Sequence, residues 1–263
     1  MLVCAVNVSE GRSTAVIDAL VAAAGDDLLD VHTDPDHHRS VLTVLGVQAA
    51  RSIADVAVQL VDLRPHRGAH PRLGAVDVVP FVPVDGSSLD DATAARDHVV
   101  RWLGEVLGVP AFAYGGSDRP TLPEIRKQAF AIVAPDAGPD HPHPTAGATA
   151  VGARGPLVAY NLWLVEPDLA LARWLARSLR GPAVRALGLA VGSAVQVSCN
   201  LLQPWSVGPD AVYDAVAAIT PVARAELVGL VPQEVLASID RRRWELLDLA
   251  PDRTVEERLS RRR

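Results

Sequence analysis

The apolar runs of this 263-residue chain come in an order that is repeated, and that repeat restricts its possible folds more than any other feature. Leu2–Val8 is a short apolar run that stops at Ser9-Glu10-Gly11-Arg12, which reads as a strand followed by a loop. Ser13 is placed to cap a helix over Thr14–Ala24, and Gly25-Asp26-Asp27 ends it. Residues 28–33 and 40–46 read as strands joined by the polar stretch 34–39. Residues 49–63 carry apolar side chains at helical spacing, and the β-branched run 75–84 reads as a further strand ending at Asp85-Gly86. The order is β-α-β-β-α-β.

The same order returns later. Residues 157–165 read as a strand and 168–179 as a helix; Val184–Val191 and residues 194–202 are strands flanking Gly192-Ser193, a pair suited to a type II′ hairpin turn. Pro209 fits the first turn of a helix over 210–219, residues 227–231 read as the closing strand, and Pro232 opens a short last helix. The fold class is therefore α/β (α+β), with two ferredoxin-like β-α-β-β-α-β halves packed together. Between them fall a helix at 88–107, a strand at 111–114, a helix from Leu122 to about Phe130, and a loop over 134–147 rich in Pro, Gly and His. A loop of that length without structure of its own is either functional or disordered, and its place between the halves favours function.

Composition narrows the partners. With 49% hydrophobic and 21% charged residues the chain can bury a sizeable core, but only 4% are aromatic, so Val, Leu, Ile and Ala must fill it. A net charge of −6 argues against a nucleic-acid or anionic-membrane surface. Cys4 and Cys199 lie in apolar strand-like runs and read as free buried thiols, too few for a disulfide framework or a cysteine-based zinc site. The N-terminus lacks a basic n-region, and no window approaches the ~18 uninterrupted apolar residues of a membrane span, so a cytoplasmic protein is expected.

Seven of the eight histidines cluster: His32, His37 and His38; His66 and His70; His141 and His143. Pro65, Gly68 and Pro71 argue against a helix that would put His66 and His70 on one face, and no Glu follows His66, so a zincin site is excluded and no metal is expected. His70 precedes Pro71-Arg72-Leu73-Gly74 and then a strand, which holds it just ahead of a rigid element. At solvent-accessible depth, with a pKa near neutrality, it would suit proton transfer; an ordinary loop histidine is the alternative that spacing alone leaves open.

The run from His66 to Val78 (HRGAHPRLGAVDV), followed by Pro80-Phe81-Val82-Pro83-Val84, resembles the formiminotransferase signature HxGEHPRMGAxDVxPFIPV. Asn7 with Ser9-Glu10-Gly11-Arg12 resembles the family's PNFSEGR opening. His38-Arg39-Ser40-Val41 resembles NRTV, and Gly147-Ala148-Thr149 with Gly152-Ala153-Arg154 resembles GATxxGAR. Ala159-Tyr160-Asn161, Gln196-Val197-Ser198 with Asn200-Leu201, and Leu227-Val228-Gly229-Leu230-Val231-Pro232 resemble AFN, QVSxN and LVGLVP. The matches run in order along nearly the whole chain.

This resemblance implies two formiminotransferase subdomains, at 1–153 and 154–263, in a cytoplasmic homodimer. It implies transfer of a formimino group from N-formimino-L-glutamate to N5 of tetrahydrofolate, a co-substrate, with no metal. His70 matches the family's catalytic histidine. The folate-binding loop matches Gly138, Pro139, Asp140, His141, Pro142, His143, Pro144, Thr145, Ala146 and Gly147. Ser9, Glu10, Gly11, Arg39, Arg72, Asn161 and Asn200 are the expected substrate-binding residues, with Arg39 and Arg72 suited to clamp carboxylates or, alternatively, to form structural ion pairs.

The chain departs from the family pattern at several polar positions: Ala69 replaces a Glu, His32 an Asp, His38 an Asn, Trp163 an Asn and Gln203 an Asp, and Arg126-Lys127-Gln128-Ala129-Phe130 lacks an acidic pair. Cleft-lining polar groups are expected to be lost with them. Two other readings follow: a diverged paralogue moving a formimino or related one-carbon group between other substrates, and a non-catalytic folate-type binding protein. No cyclodeaminase region is expected after about residue 250.

Overall fold

The structure, a computed structural model, describes residues 1–117 and 119–262, which form two compact units, Met1–Gly155 and Pro156–Arg263. The first contains β1 (Leu2–Val8), α1 (Thr14–Ala24), β2 (Leu28–Asp34), β3 (Arg39–Leu45), α2 (Gly46–Leu60) and β4 (Val76–Pro83). These are followed by α3 (Leu89–Glu105), β5 (Ala111–Gly115), α4 (Leu122–Gln128) and β6 (Thr149–Ala153). Its sheet runs β2-β3-β1-β4-β6-β5, antiparallel as far as β4 and parallel across β4, β6 and β5.

The second unit contains β7 (Val158–Leu164), α5 (Leu169–Leu179), β8 (Val184–Val191), β9 (Ala194–Leu201), α6 (Pro209–Ala217) and β10 (Val222–Val228), then α7 (Gln233–Ala237) and α8 (Val255–Ser260). Its sheet, β10-β7-β9-β8, is antiparallel throughout. Element for element this is the β4-β1-β3-β2 order of the first unit, so each unit holds one β-α-β-β-α-β motif with the two hairpin strands to one side. The mixed α/β architecture read from the repeat is present.

Local chemistry explains most boundaries. Ser13 accepts from Val16 N at the start of α1, Ser88 and Asp91 form a reciprocal capping box on α3, and Asp168 accepts from Leu171 N on α5. At the β8–β9 hairpin Gly192 takes φ 58°, the left-handed first position that a II′ turn requires. As the scarcity of aromatics demands, Val6, Leu20, Leu42, Ile53 and Leu103 fill the first core, and Leu162, Leu175, Val197 and Leu201 the second. A smaller cluster of Val78, Phe112, Tyr114, Ile125 and Ala150 covers the first sheet near α4, where the Phe112 and Phe130 rings meet edge to face at 5.1 Å. Cys4 and Cys199 are buried and free, and burial raises both thiol pKa values. Among the described residues, no helix is long and apolar enough to cross a membrane.

Several expectations need correction. β6 has no counterpart among the expected strands, because three of its five residues, Ala150, Gly152 and Ala153, are poor strand formers; it forms inside the sheet by pairing with β4 and β5 on both sides. β10 is Val222–Val228, not 227–231: Arg224 and Glu226 interrupt its apolar run, and Gly229 at φ 81° turns the chain out of the strand. α2 begins at Gly46 and ends at Leu60, three residues earlier at each end than the 49–63 expected. The loop over 134–147 is not structureless. Ala111 N bonds Ala137 O, Ala113 N bonds an Asp136 carboxylate oxygen, and His143 and Gly147 exchange backbone hydrogen bonds.

Close packing of α5 on the second sheet depends on Gly188. A Cβ there would lie 2.4 Å from the Arg173 backbone nitrogen and 2.5 Å from the Ala172 carbonyl carbon, which cannot give way. Gly188→Ala should therefore destabilise the second unit by about 2 kcal/mol. Gly181→Ala, where a Cβ meets only open space, should be nearly neutral in the same urea titration.

Candidate active site

The first unit's sheet carries an ionisable residue where none would be stable alone. Asp77 lies in β4, a run otherwise filled by Val, Pro and Phe, and is 1% exposed. Register explains its direction: β1 pairs Asn7 with Val78 and Val8 with Val76, so Asp77 is the extra residue of a β-bulge. An isolated carboxylate there would cost several kcal/mol, so partners are obligatory. Arg126 of α4 supplies a two-point ion pair, Nη2–Oδ2 2.6 Å and Nη1–Oδ1 3.2 Å, Leu73 N donates at 2.6 Å, and Arg39 Nη1 lies 3.7 Å away. Burial alone would push the Asp77 carboxyl pKa up, but Arg126 and Arg39 outweigh it and hold the group below its ordinary value.

Arg39 is the link to the histidines. Its Nε donates to Asn7 Oδ1 at 3.0 Å and its Nη2 bonds the same oxygen. Its Nη1 lies 2.7 Å from His70 Nδ1 and 3.3 Å from Nε2. The His70 ring also meets the His37 ring edge to face at 5.9 Å, and its Nδ1 is 2.7 Å from Pro71 O. Ser9, His37, His38, Arg39, His70, Pro71, Arg72 and Asp77 together line a crevice of about 140 Å³. That space includes open solvent and encloses no room for a water molecule, so the crevice is a surface notch and not a preformed pocket.

The expectation of a near-neutral His70 is corrected here. The residue is half-buried, and desolvation of its ring, followed by the Arg39 charge, drives the pKa down to about 3 despite Asp77 and Pro71 O. At physiological pH the imidazole is neutral. His66 is pulled down to about 4, by burial first and then by Arg72 and His38.

The other expected residues divide into three groups. Arg72 joins the crevice, donating from Nη2 to His70 O at 2.7 Å and bonding the His66 ring through Nη1. Ser9 is buried, and its hydroxyl donates to Gly74 O at 2.8 Å, tying the end of β1 to the segment before β4. Glu10 is committed to structure: one carboxylate oxygen accepts from Arg12 N at 2.6 Å and Ser13 N at 2.9 Å and meets His38 Nε2 at 3.1 Å. Gly11 leaves no room for a side chain, since a Cβ would sit 2.6 Å from Arg39 N.

Of the expected folate loop, Asp140, His141 and Pro142 are exposed, while Thr145 O accepts from Leu63 N, Ala146 O accepts from Ala75 N, and Gly147 bridges Gly74. His143 Nδ1 accepts from Ala146 N at 3.0 Å, so this histidine staples its own turn. The loop's C-terminal end is thereby bonded to the segment that follows His70.

Asn161 and Asn200 belong to the second unit, where register with their neighbours places them on the sheet face opposite its core. Asn161 Nδ2 and Trp163 Nε1 both donate to Glu226 Oε2, at 3.1 and 2.9 Å, and Arg224 stacks over the indole at 4.2 Å. Trp163 therefore supplies an N–H donor where a polar group was expected to be lost. His38 likewise stays polar: at φ 51° it bonds Glu10 and Arg67 O and stacks on His66 at 3.9 Å. Asn200 is exposed.

Sequence reasoning overlooked Asp77 and Arg126 as site residues. The available signal was a lone carboxylate inside a strand otherwise apolar, which requires a cation. Among the described residues, no group of three or more His, Cys, Asp or Glu side chains is placed to hold a metal ion.

Residues 1–154 match the family model described as the formiminotransferase domain, N-terminal subdomain. Over 90% of its length the chain is 34% identical to the glutamate formimidoyltransferase of Streptococcus pyogenes serotype M1, covering 90% of that protein. The chain belongs to the formiminotransferase family. It is also 31% identical to the glutamate formimidoyltransferase of Thermoplasma acidophilum, across 90% of this chain and 89% of that one. It is 36% identical to the formimidoyltransferase-cyclodeaminase of Rattus norvegicus across 89% of this chain, spanning 50% of that longer protein.

Removing the Asp77 charge leaves Arg39 and Arg126 uncompensated, so Asp77→Asn should destabilise the first unit by about 3 kcal/mol, measured by urea unfolding. Histidines whose folded pKa lies below the unfolded value of about 6.5 bind more protons when unfolded. Their contribution is therefore full above pH ~6.5 and falls as pH drops toward the folded values. The melting temperature should fall between pH 7 and 4, and the His66→Gln, His70→Gln double variant should flatten that dependence.

Proposed function

We propose that this protein is a folate-dependent transferase that moves the formimino group of N-formimino-L-glutamate to N5 of tetrahydrofolate, with His70 as the general base. The observation that carries the reading is likeness over nearly the whole length to glutamate formimidoyltransferases, with His70 standing in the crevice beside Arg39 and Arg72. Three guanidinium groups, Arg39, Arg72 and Arg126, gather near one buried carboxylate, Asp77. The local surplus is positive, which suits a donor bearing carboxylates.

In the reaction the N5 lone pair attacks the carbon of the protonated formimino group, forming the N5–C bond as the C=N π pair moves onto the imino nitrogen. The proton released from N5 passes to the neutral imidazole of His70. The lone pair of the imino nitrogen then re-forms the C=N bond as the bond between that carbon and the glutamate nitrogen breaks, and His70 returns the proton to the departing nitrogen. Products are 5-formiminotetrahydrofolate and glutamate, and the histidine ends as it began. A single positioned imidazole suffices, and no covalent enzyme intermediate is required.

Folate binding is assigned, by family resemblance, to the loop carrying Gly138, Pro139, Asp140, His141, Pro142, His143, Pro144, Thr145, Ala146 and Gly147, whose bonded end next to Gly74 supports the reading. Donor contacts are assigned to Ser9, Glu10, Gly11, Arg39, Arg72, Asn161 and Asn200. Among these, Arg39 and Arg72 have the best-supported role, and Glu10 and Gly11 act by shaping the backbone around Arg39. A cytoplasmic homodimer belongs to the same proposal.

His70→Ala should lower turnover of formiminoglutamate with tetrahydrofolate by about a hundredfold or more while tetrahydrofolate binding, measured by calorimetry, survives. Full activity in that variant would remove His70 from the chemistry. Turnover of another amidine donor, but not of formiminoglutamate, would assign the chain to a diverged specificity.

A further inference from the structure

His70 has more neighbours than its one ring proton can serve. Nδ1 lies 2.7 Å from Arg39 Nη1, which can only donate, and 2.7 Å from Pro71 O, which can only accept. In the Nε2–H tautomer Nδ1 accepts from Arg39 and faces the Pro71 oxygen lone pair to lone pair. In the Nδ1–H tautomer Pro71 O is satisfied, but two donors, Nδ1–H and Arg39 Nη1–H, then meet at 2.7 Å, which disfavours that tautomer while Arg39 stays in place. Arg39 thus favours the tautomer in which Nε2 carries the proton and the only basic lone pair, on Nδ1, lies against Nη1. The base is capped.

The cap is also able to leave. Arg39 is also held by Asn7, through Nε and Nη2, and because the guanidinium is planar and rigid Nη1 leaves the ring only when the whole group tilts about that single Asn7 oxygen. Nη1 is 3.7 Å from Asp77, about 1 Å longer than a tight ion pair, so no tight contact with that carboxylate holds it in place. The Arg39 side chain is 19% exposed and lines the crevice, so an incoming anion can reach it.

We propose that Arg39 is a positioning residue that caps His70 in the free protein, and that a carboxylate of the bound donor draws it off, leaving Nδ1–H on Pro71 O and Nε2 free as the base. This rests on His70 being the base. It makes the imidazole a proton acceptor only when the donor is seated, because the carboxylate both moves the Nη1 donor and offsets its charge. The charged and titratable groups facing His70 are Arg39 from β3, His37 from the turn before it, Asp77 from β4, Arg126 from α4, and Arg72 from its own segment. The cations among them oppose protonation of the ring until an anion arrives.

The test is nitrogen-15 NMR of ring-labelled histidines in the full chain, with His70 assigned from the spectrum of His70→Gln. Ring nitrogen shifts report tautomer and titration together. In the wild type His70 should remain neutral to below pH 5, well under the ordinary value of about 6.5. Arg39→Gln should raise its titration midpoint by about one pH unit or more, roughly a tenfold gain in proton affinity, and Arg39→Lys should restore the low midpoint. L-glutamate, used as the probe, should raise the midpoint in the wild type and shift the ring toward the Nδ1–H form, with no such change in Arg39→Gln.

A His70 that titrates alike in wild type and Arg39→Gln, or a wild-type ring indifferent to L-glutamate, overturns the cap. Should Arg39→Gln not fold, the L-glutamate titration of the wild type decides alone. Loss of turnover in His70→Ala together with either result leaves His70 as the base and discards only its control by Arg39. Retained turnover in His70→Ala discards the base itself.

Discussion

A carboxylate that is 1% exposed inside a sheet cannot stay ionised unless cations follow it inward, and the rest of the site is arranged around that demand. Asp77 draws in Arg126 from α4 and stands 3.7 Å from Arg39 of β3. Each arginine then has further atoms to place. Arg126 reaches Pro71 O at 3.0 Å, and Arg39 reaches Asn7 and the His70 ring. The segment from His70 to Gly74 is therefore held from both sides by side chains that Asp77 recruited, and Leu73 N bonds Asp77 directly. A charge in a strand has fixed the course of a loop.

The sheet supplies the geometry that makes this possible. Without the bulge between β1 and β4, Asp77 would keep the strict alternation of the strand and its carboxylate would be directed by the pleat. The parallel extension through β6 and β5 carries the chain on to α4, and so brings Arg126 within reach. The second unit, which has the same β-α-β-β-α-β order but no such extension, carries a differently charged face, with Glu226 accepting from Asn161 and Trp163. One topology thus serves two electrostatic ends.

Much of the architecture could be read from residue order, because period-2 and period-3.6 runs bounded by Gly, Pro and capping residues depend on local physics. The elements misread are those stabilised from outside. β6 is a strand because it has neighbours on both sides, and β10 because pairing with β7 overrides the interruption of its apolar run by Arg224 and Glu226. For the site, His70, Arg39 and Arg72 could be found from motif and residue type. The protonation behaviour of His70 could not, since it comes from desolvation and from an arginine 31 positions away in the chain. Asp77 was within reach, because a lone acid in an apolar strand already implies partners, although their identity required the fold.

The polar substitutions in this chain matter less as losses than as exchanges. An Asn readily takes left-handed φ, and His38 at φ 51° accepts the same strained position while bringing a ring that stacks on His66 and bonds Glu10. Trp163 replaces an amide with an indole whose N–H serves the same kind of acceptor and whose face takes the Arg224 guanidinium. Each exchange keeps a donor and adds a flat ring that stacks on a neighbouring side chain. Ala69 is different: it is exposed, and its side chain offers no replacement for a carboxylate. With that acid missing, the field at His70 is set by Asp77 and the surrounding arginines, which strengthens the positive bias and makes the ring's basicity depend on whatever anion occupies the crevice.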